Sequence, residues 1–217
     1  MNLFRLDASI RSDGSHSRQV ADLVEQEWRA VHPDGGVVRR DVGTAPLPSD
    51  AWAAAVSAAQ VSPEERTPAQ VRAAALATLL ADELIGADAL LFAVPLYNYG
   101  VSQHFKGWVD LVATEPRMSP GREPALASKP AVLVTVRGGA YGPGTPREGW
   151  DHATPWMRRI LADLWQLDLR VVEAELTLVG VNPALDELRD LAARKRREAE
   201  DLARAHGREL ASRRVAA

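Results

Sequence analysis

Hydroxyl side chains crowd a short segment near the amino terminus of the chain. Ser9, Ser12, Ser15 and Ser17 all fall there, between a short apolar run and a helical pattern. Hydroxyls and free backbone N–H groups at a helix N-terminus make a natural site for a phosphate dianion. Serine is equally typical of a plain helix N-cap, which needs only one hydroxyl. Both interpretations, phosphate binding and capping, stay open from these residues alone.

Several other kinds of site are excluded by the sequence. The serine-rich segment contains neither the Gly-x-x-x-x-Gly-Lys-Ser/Thr pattern of a nucleoside-triphosphate loop nor the Gly-x-Gly-x-x-Gly pattern of a dinucleotide site. The chain has no cysteine. Thiol nucleophiles, disulfides and cysteine-ligated metal sites are therefore impossible, and any redox chemistry must use a bound cofactor.

Two further segments carry residues suited to a planar ligand. The first is Tyr97-Asn98-Tyr99, which follows a strongly apolar run, and the second is Arg137-Gly138-Gly139, which follows another. Aromatic faces around an amide suit a planar heterocycle, and paired glycines let backbone N–H groups approach a ligand edge closely. The alternatives are a turn with packed tyrosines and a flexible surface loop.

The elements that must position these segments follow from the hydrophobic pattern. Apolar runs alternate with helical patterns along the whole chain, which predicts a doubly wound α/β fold with a parallel sheet. The predicted strands cover residues 3–7, 37–42, 87–94, 130–136 and 169–178, and the predicted helices cover residues 17–31, 68–85, 101–113, 150–167 and 183–212.

The three segments are predicted to converge on one ligand. Each of them follows a predicted strand, and ligands of such sheets bind outside the carboxyl ends of the strands, where the strand order reverses. One phosphate cradle and two sets of flat-ring contacts describe a mononucleotide with a planar ring system. Flavin mononucleotide (FMN) fits this description better than a dinucleotide, because only one phosphate cradle is visible.

Taken together, these motifs resemble the FMN-dependent NADH-azoreductase, or NADH:quinone oxidoreductase, family of flavodoxin-like proteins. The similarity extends over most of the chain and includes residues 105–112, Phe-Lys-Gly-Trp-Val-Asp-Leu-Val. It implies a five-stranded parallel sheet in the order 2-1-3-4-5 with helices on both faces, formed by a single domain over residues 1–217. It also implies that FMN is held by Ser9, Ser15, His16 and Ser17 at its phosphate, by Leu96, Tyr97, Asn98 and Tyr99 at its ring, and by Val136, Arg137, Gly138 and Gly139.

The resemblance also implies an activity. NADH or NADPH would reduce the flavin, which then passes two electrons to a quinone or azo acceptor in a ping-pong reaction, within a homodimer that forms two active sites at its interface. No catalytic side chain and no metal are predicted beyond the flavin. The chain departs from the family at Val136, where a serine is usual, and over residues 161–165, where Leu-Gly-Phe-x-Gly is frequent. Substrate preference therefore does not carry over.

The composition of the chain limits the partners it is expected to bind and the compartment in which it is expected to work. The chain has 217 residues, 46% hydrophobic and 25% charged, with a net charge of -3, which is typical of a globular protein that binds neither nucleic acid nor an anionic membrane. The basic run at residues 194–197 is interpreted as a solvated helix face. No apolar run reaches the roughly 18 residues that span a bilayer, and no signal-peptide pattern opens the chain. A soluble, cytoplasmic protein is expected.

Two alternatives share the FMN site. A flavodoxin-like electron carrier would pass single electrons to a protein partner, but carriers are usually smaller and strongly acidic. A non-catalytic flavin-binding protein would bind FMN without turnover. Direct oxidation of NAD(P)H with a small quinone excludes the carrier, and flavin reduction followed by stopped flow excludes the non-catalytic protein.

Overall fold

A parallel sheet forms the centre of the protein in the computed structural model, which describes residues 1–119, 121 and 123–213. Short 3₁₀ segments cover Pro63–Glu65 and Pro183–Leu188, and a π-helical stretch, Arg159–Leu164, continues the fifth helix. The elements in chain order are β1 (Asn2–Asp7), α1 (His16–Val31), β2 (Gly36–Asp41), α2 (Ala51–Ala58), α3 (Pro68–Ile85), β3 (Ala89–Tyr97), β4 (Gly100–Val101), α4 (Gln103–Val112), β5 (Pro130–Val136), α5 (Thr154–Arg158), β6 (Asp168–Ala174) and α6 (Arg189–Ser212).

The sheet order is β2-β1-β3-β5-β6, with every neighbouring pair parallel. These are the five predicted strands in the predicted order, so the flavodoxin-like, doubly wound architecture is confirmed. The helix predicted over residues 150–167 is shorter in the structure. It begins at Thr154 with α5 and continues after Arg158 as the π-helical stretch Arg159–Leu164.

A sixth, two-residue strand was not predicted. β4 pairs antiparallel with the end of β3 through a two-residue turn at Asn98 and Tyr99, whose φ angles are 48° and 66°. Positive φ at both central residues defines a type I′ turn, which joins hairpin strands of the usual twist. Because glycine rather than tyrosine normally signals the second position, the sequence indicated only a loop here.

Helices cover both faces of the sheet. Helices α1 and α6 pack on one face, over Leu91 of β3 and Val134 of β5. The opposite face is covered by α3, α4 and α5, where Trp108 of α4 stacks on Phe4 of β1 at 6.2 Å between ring centroids. Strands covered on both faces read as continuous apolar runs, which is why β3 and β5 were predictable. Among the described residues, no helix is long and apolar enough to span a membrane.

A buried arginine joins β1 to α1. Arg5 is 1% exposed, and its guanidinium pairs with Asp7 at 3.0 Å and with Asp22 and Glu25 of α1 at 2.6 and 3.0 Å. Burial works against the charged form, but Asp7 and Asp22 outweigh it and raise the pKa of Arg5. This ion cluster fixes the end of β1 relative to the start of α1, on either side of the serine-rich loop.

Candidate functional site

A cavity of about 520 Å³ lies at the carboxyl ends of β1, β3 and β5. All three predicted segments line it, together with Thr177, Leu178 and Val181 from the loop after β6. Because the chain winds from β1 in opposite directions to β2 and β3, this edge is the switch point where such sheets bind ligands. Two other cavities, of about 460 and 530 Å³, lie between α4 and α5 and between α1 and α6. The second of them adjoins the switch point, because His16 and Thr177 line it as well, but the Tyr97 and Gly138 segments do not.

The serine-rich loop presents an open helix N-terminus to the cavity. Ser15 occupies the N-cap position of α1, yet its hydroxyl accepts no hydrogen bond from the backbone of α1. Its Oγ lies instead 3.3 Å from Oγ of Ser17, and both residues are buried. The first N–H groups of a helix have no partner within it, so these donors remain for a ligand. Plain capping by Ser15 is therefore not supported.

The backbone of this loop is held from outside the cavity by Arg18. Its guanidinium donates to the carbonyl oxygens of Ser9 and Arg11, each at 3.1 Å, and to the carboxylate of Asp41 at 2.9 Å. Burial disfavours the charge on Asp41, but hydrogen bonds from Arg18 and Thr44 outweigh it and lower the pKa of Asp41 to about 2. The loop is thus shaped before any ligand arrives.

Charge at this end of the cavity is positive. Burial and the nearby guanidinium groups of Arg196 and Arg11 lower the pKa of His16. His16 is therefore expected to be a neutral hydrogen-bonding group, while Arg11, which also lines the cavity, carries the positive charge. An open helix N-terminus, two hydroxyls and a cation together suit a phosphate dianion.

Tyr97, the last residue of β3, contacts the serine-rich loop that follows β1. Its hydroxyl oxygen accepts a hydrogen bond from the backbone N–H of Ile10 at 3.2 Å and lies 3.5 Å from Oγ of Ser9. The turn after it projects Tyr99 toward Tyr141 and Trp150, with ring centroids 6.4 and 5.4 Å away. This end of the cavity therefore offers aromatic surfaces.

Gly138, in the loop after β5, packs closely against the loop after β6. Its carbonyl oxygen accepts a hydrogen bond from the backbone N–H of Leu178 at 3.1 Å, so the loops after β5 and β6 lie side by side. A Cβ at Gly138 would stand 2.5 Å from Cδ1 of Leu178. Among the described residues, the N–H of Gly138 donates to no other backbone or side chain, and it remains available to a ligand edge.

Comparison with known proteins identifies the family of this chain. The sequence profile of the flavodoxin-like fold family matches residues 1–199. A relative from Frankia alni, named FMN-dependent NADH:quinone oxidoreductase, is 42% identical over 206 residues, covering 94% of this chain and 97% of the relative. The chain belongs to the flavodoxin-like FMN-dependent NADH:quinone oxidoreductase family. A Streptomyces avermitilis relative of the same name is 36% identical and covers 97% of both chains.

Solved structures agree with this family in fold. An azoreductase from Bacillus anthracis has a TM-score of 0.77 at 17% identity, over 96% of this chain and 99% of that chain. A structure described as an FMN-dependent NADH-azoreductase from the same species in complex with FMN has a TM-score of 0.71 at 13% identity, over 95% and 100% of the two chains. At such identities the likeness concerns the fold alone.

Most of the residues predicted for FMN lie together in this family member. Ten of the twelve line the cavity at the switch point, and Arg137 and Gly139 are not among the lining residues. The ten are Ser9, Ser15, His16, Ser17, Leu96, Tyr97, Asn98, Tyr99, Val136 and Gly138.

Arg137 instead pairs with residues of two other segments, the start of α5 and the end of β6. Its buried guanidinium pairs with Asp151 at 2.7 Å, Glu173 at 3.0 Å and Glu175 at 3.1 Å, and it donates to the hydroxyl of Thr154 at 3.0 Å. Burial works against the charge, but Glu173 and Asp151 outweigh it and raise the pKa of Arg137. The side chain of Arg137 therefore supports the segments around the cavity, and the contact with FMN that was expected for Arg137 stays a prediction.

Some lining residues of this family member were not predicted. They are Arg147, which no sequence motif set apart, and residues of the loop after β6. Thr177 and Leu178 of that loop were predicted to lie in a strand over residues 169–178, but the strand ends at Ala174. The one available signal for that loop was positional, since β6 is parallel to β5 and ends at the same edge. Nothing in the sequence pattern pointed to Arg18 as the support of the first loop.

Proposed function

We propose that this chain is an FMN-dependent NAD(P)H oxidoreductase that reduces quinones and aromatic azo compounds by two-electron transfer. The observation that carries the proposal is the convergence of an uncapped helix N-terminus, two tyrosines and a glycine loop on one cavity. The printed names of the relatives, FMN-dependent NADH:quinone oxidoreductase, support the same activity.

The residues present fit FMN. The buried hydroxyls of Ser15 and Ser17 make no capping bond and lie beside open N–H groups, as a phosphate requires. The other end of the same cavity offers aromatic rings and the free N–H of Gly138, as a planar ring with polar edges requires. When bound, FMN supplies the redox chemistry by accepting a hydride from NADH or NADPH and passing two electrons to the acceptor.

The chain itself contributes binding, orientation and electrostatics. The positive dipole end of α1 and the charge of Arg11 would hold the phosphate of the cofactor. Tyr97 and Tyr99 provide flat surfaces for the ring, while the N–H of Gly138 stabilises the negative charge that reduction adds. No protein side chain has to form a covalent bond with the substrate, because the bound flavin would carry the electrons.

The test of this function is an absorbance spectrum of the purified protein before and after anaerobic addition of NADH. We expect a yellow protein whose flavin band bleaches with NADH and returns with a small quinone. A colourless protein that FMN does not reconstitute contradicts the proposal. Flavin that NAD(P)H fails to reduce directly would instead favour the electron-carrier or non-catalytic alternative.

Tyr97→Phe is expected to weaken FMN binding about fivefold. The change removes the acceptor of the Ile10 N–H while keeping the ring, and a net hydrogen bond contributes about 1 kcal/mol. Fluorescence titration of the apoprotein with FMN measures the change. Tyr99→Phe is the matched control, because no hydrogen bond to its hydroxyl is formed within the described residues. Equal affinities of both variants and the wild type would contradict the coupling of the two loops.

A homodimer is part of the proposal. Large apolar side chains stand exposed around the mouth of the cavity, and such patches are typical of covered surfaces. They are Ile10, Leu178 and Val181. A second copy of the chain would cover part of this rim. The homodimer, the single domain over residues 1–217 and the cytoplasmic location stay predictions.

A further inference from the structure

Arg147 brings an unneutralised positive charge to the aromatic end of the cavity. It is half-buried and lines the cavity, and its guanidinium lies over the ring of Tyr141 at 5.9 Å from the centroid. Within the described residues it forms no salt bridge, whereas Arg137 in the same region has three carboxylate partners. An arginine that is partly desolvated and unpaired in a ligand cavity is suited to an anionic ligand.

The nearby carboxylates are already engaged by other donors. Glu148 accepts a hydrogen bond from the backbone N–H of Gly144 at 2.7 Å. Glu175 accepts one from the N–H of Tyr141 at 2.9 Å and pairs with Arg137. Neither carboxylate forms a salt bridge with Arg147 within the described residues, so its guanidinium can pair with an anion that enters the cavity.

Exposed aromatic rings stand next to this charge. Tyr99 is 39% exposed and Trp150 is 50% exposed, and their rings meet edge to face at 5.4 Å. Tyr99 also contacts Tyr141, the ring beneath the guanidinium of Arg147. The mouth of the cavity thus combines flat apolar surfaces with one cation, whereas the phosphate end has its own cation in Arg11.

We propose that Arg147 selects aromatic acceptors that carry a negative substituent, such as a sulfonate or a carboxylate. The inference rests on the proposed function and names the substrate class of the same site. The exposed ring of Trp150, which meets Tyr99 edge to face, takes the aromatic part of the acceptor. The planar guanidinium fork of Arg147 pairs with two oxygens of the substituent.

The test compares 1,4-naphthoquinone-2-sulfonate with neutral 1,4-naphthoquinone in wild type and in Arg147→Met. The FMN-loaded protein is reduced anaerobically with NADH, and reoxidation by each quinone is followed by stopped flow, so that donor binding does not enter. We expect the preference for the sulfonated quinone to fall about tenfold in Arg147→Met, the scale of one charge-assisted hydrogen bond. Dividing variant by wild type cancels the intrinsic reactivities of the quinones.

Two further variants separate charge recognition from other effects. Arg147→Lys keeps the charge and is expected to retain part of the preference. Arg159→Met removes a charge from an exposed pair with Asp163 and should leave the preference unchanged. Binding of the unreactive naphthalene-2-sulfonate to the FMN-loaded protein, measured by flavin absorbance, gives a second readout and should weaken in parallel.

Equal losses with both quinones in Arg147→Met would overturn the proposal, because they indicate a positioning role. A shifted flavin midpoint potential with an unchanged preference would overturn it too, in favour of tuning of the flavin. A wild type that fails to reduce neutral 1,4-naphthoquinone would contradict the proposed function instead. The naphthalene-2-sulfonate titration then still decides whether Arg147 binds an aromatic anion.

Discussion

Ser15→Asp is expected to weaken FMN binding on the order of 100-fold while the apoprotein stays as stable as the wild type. Aspartate is among the best N-cap residues, and its charge is favourable at a helix N-terminus, so α1 gains the capping bond that Ser15 does not make. The same carboxylate then occupies the N–H groups offered to the phosphate and repels it. Two like charges about 4 Å apart near a protein surface repel by several kcal/mol, more than the roughly 2.7 kcal/mol that a 100-fold loss requires.

Ser15→Asn is the matched control, because asparagine caps equally well and has nearly the same shape but no charge. We expect its FMN affinity to lie between those of the wild type and Ser15→Asp. Titration calorimetry with FMN and urea unfolding of the apoproteins measure the two quantities separately. Wild-type affinity in Ser15→Asp would contradict the placement of the phosphate at α1.

Arg137→Met is expected to destabilise the apoprotein by about 3 kcal/mol, the range found when one partner of a buried ion pair is removed. The change leaves Asp151, Glu173 and Glu175 facing one another without their shared cation, and the first and last of these are largely buried. For a chain of this length the melting temperature should fall by roughly 6–12 °C. Calorimetry of the apoprotein measures it.

The pH dependence of this defect has a defined sign. Without the guanidinium, three neighbouring carboxylates repel one another in the folded state, and protonation relieves this repulsion. Such groups favour folding when protonated, so the deficit of Arg137→Met should shrink as the pH falls from 7 toward 5. Arg159→Met, in an exposed ion pair, should change stability by less than about 1 kcal/mol. A variant with normal apoprotein stability but weak FMN binding would show that Arg137 acts on the ligand instead.

The topology of the sheet was predictable because burial on both faces leaves a simple trace in the sequence. Residues of β3 and β5 are almost all apolar, and helical patterns stand between them. No sequence pattern marks the hairpin that leads to β4, because Tyr99 takes a left-handed conformation that its residue type disfavours. Such a conformation depends on the surrounding packing, including the contact of its ring with Trp150.

The candidate site was predictable where its residues are consecutive and chemically distinctive. The serines of the first loop and the tyrosines of the second are of this kind. Sequence patterns could not predict the roles of three arginines, Arg18, Arg137 and Arg147. The role of an arginine depends on the partners that the fold brings to it. Arg137 meets carboxylates from two distant segments, whereas Arg147 meets none among the described residues.

Because α1 lacks a side-chain cap, we expect the abundance of this protein to depend on flavin supply. A helix start that a bound phosphate would complete makes the cofactor part of the folded state, and ligand at 100 times its dissociation constant adds about 2.7 kcal/mol to stability. Proteases in a cell remove transiently opened chains, so a flavin-starved cell would degrade this protein faster than a replete one. The amount of enzyme would then follow the vitamin that it uses.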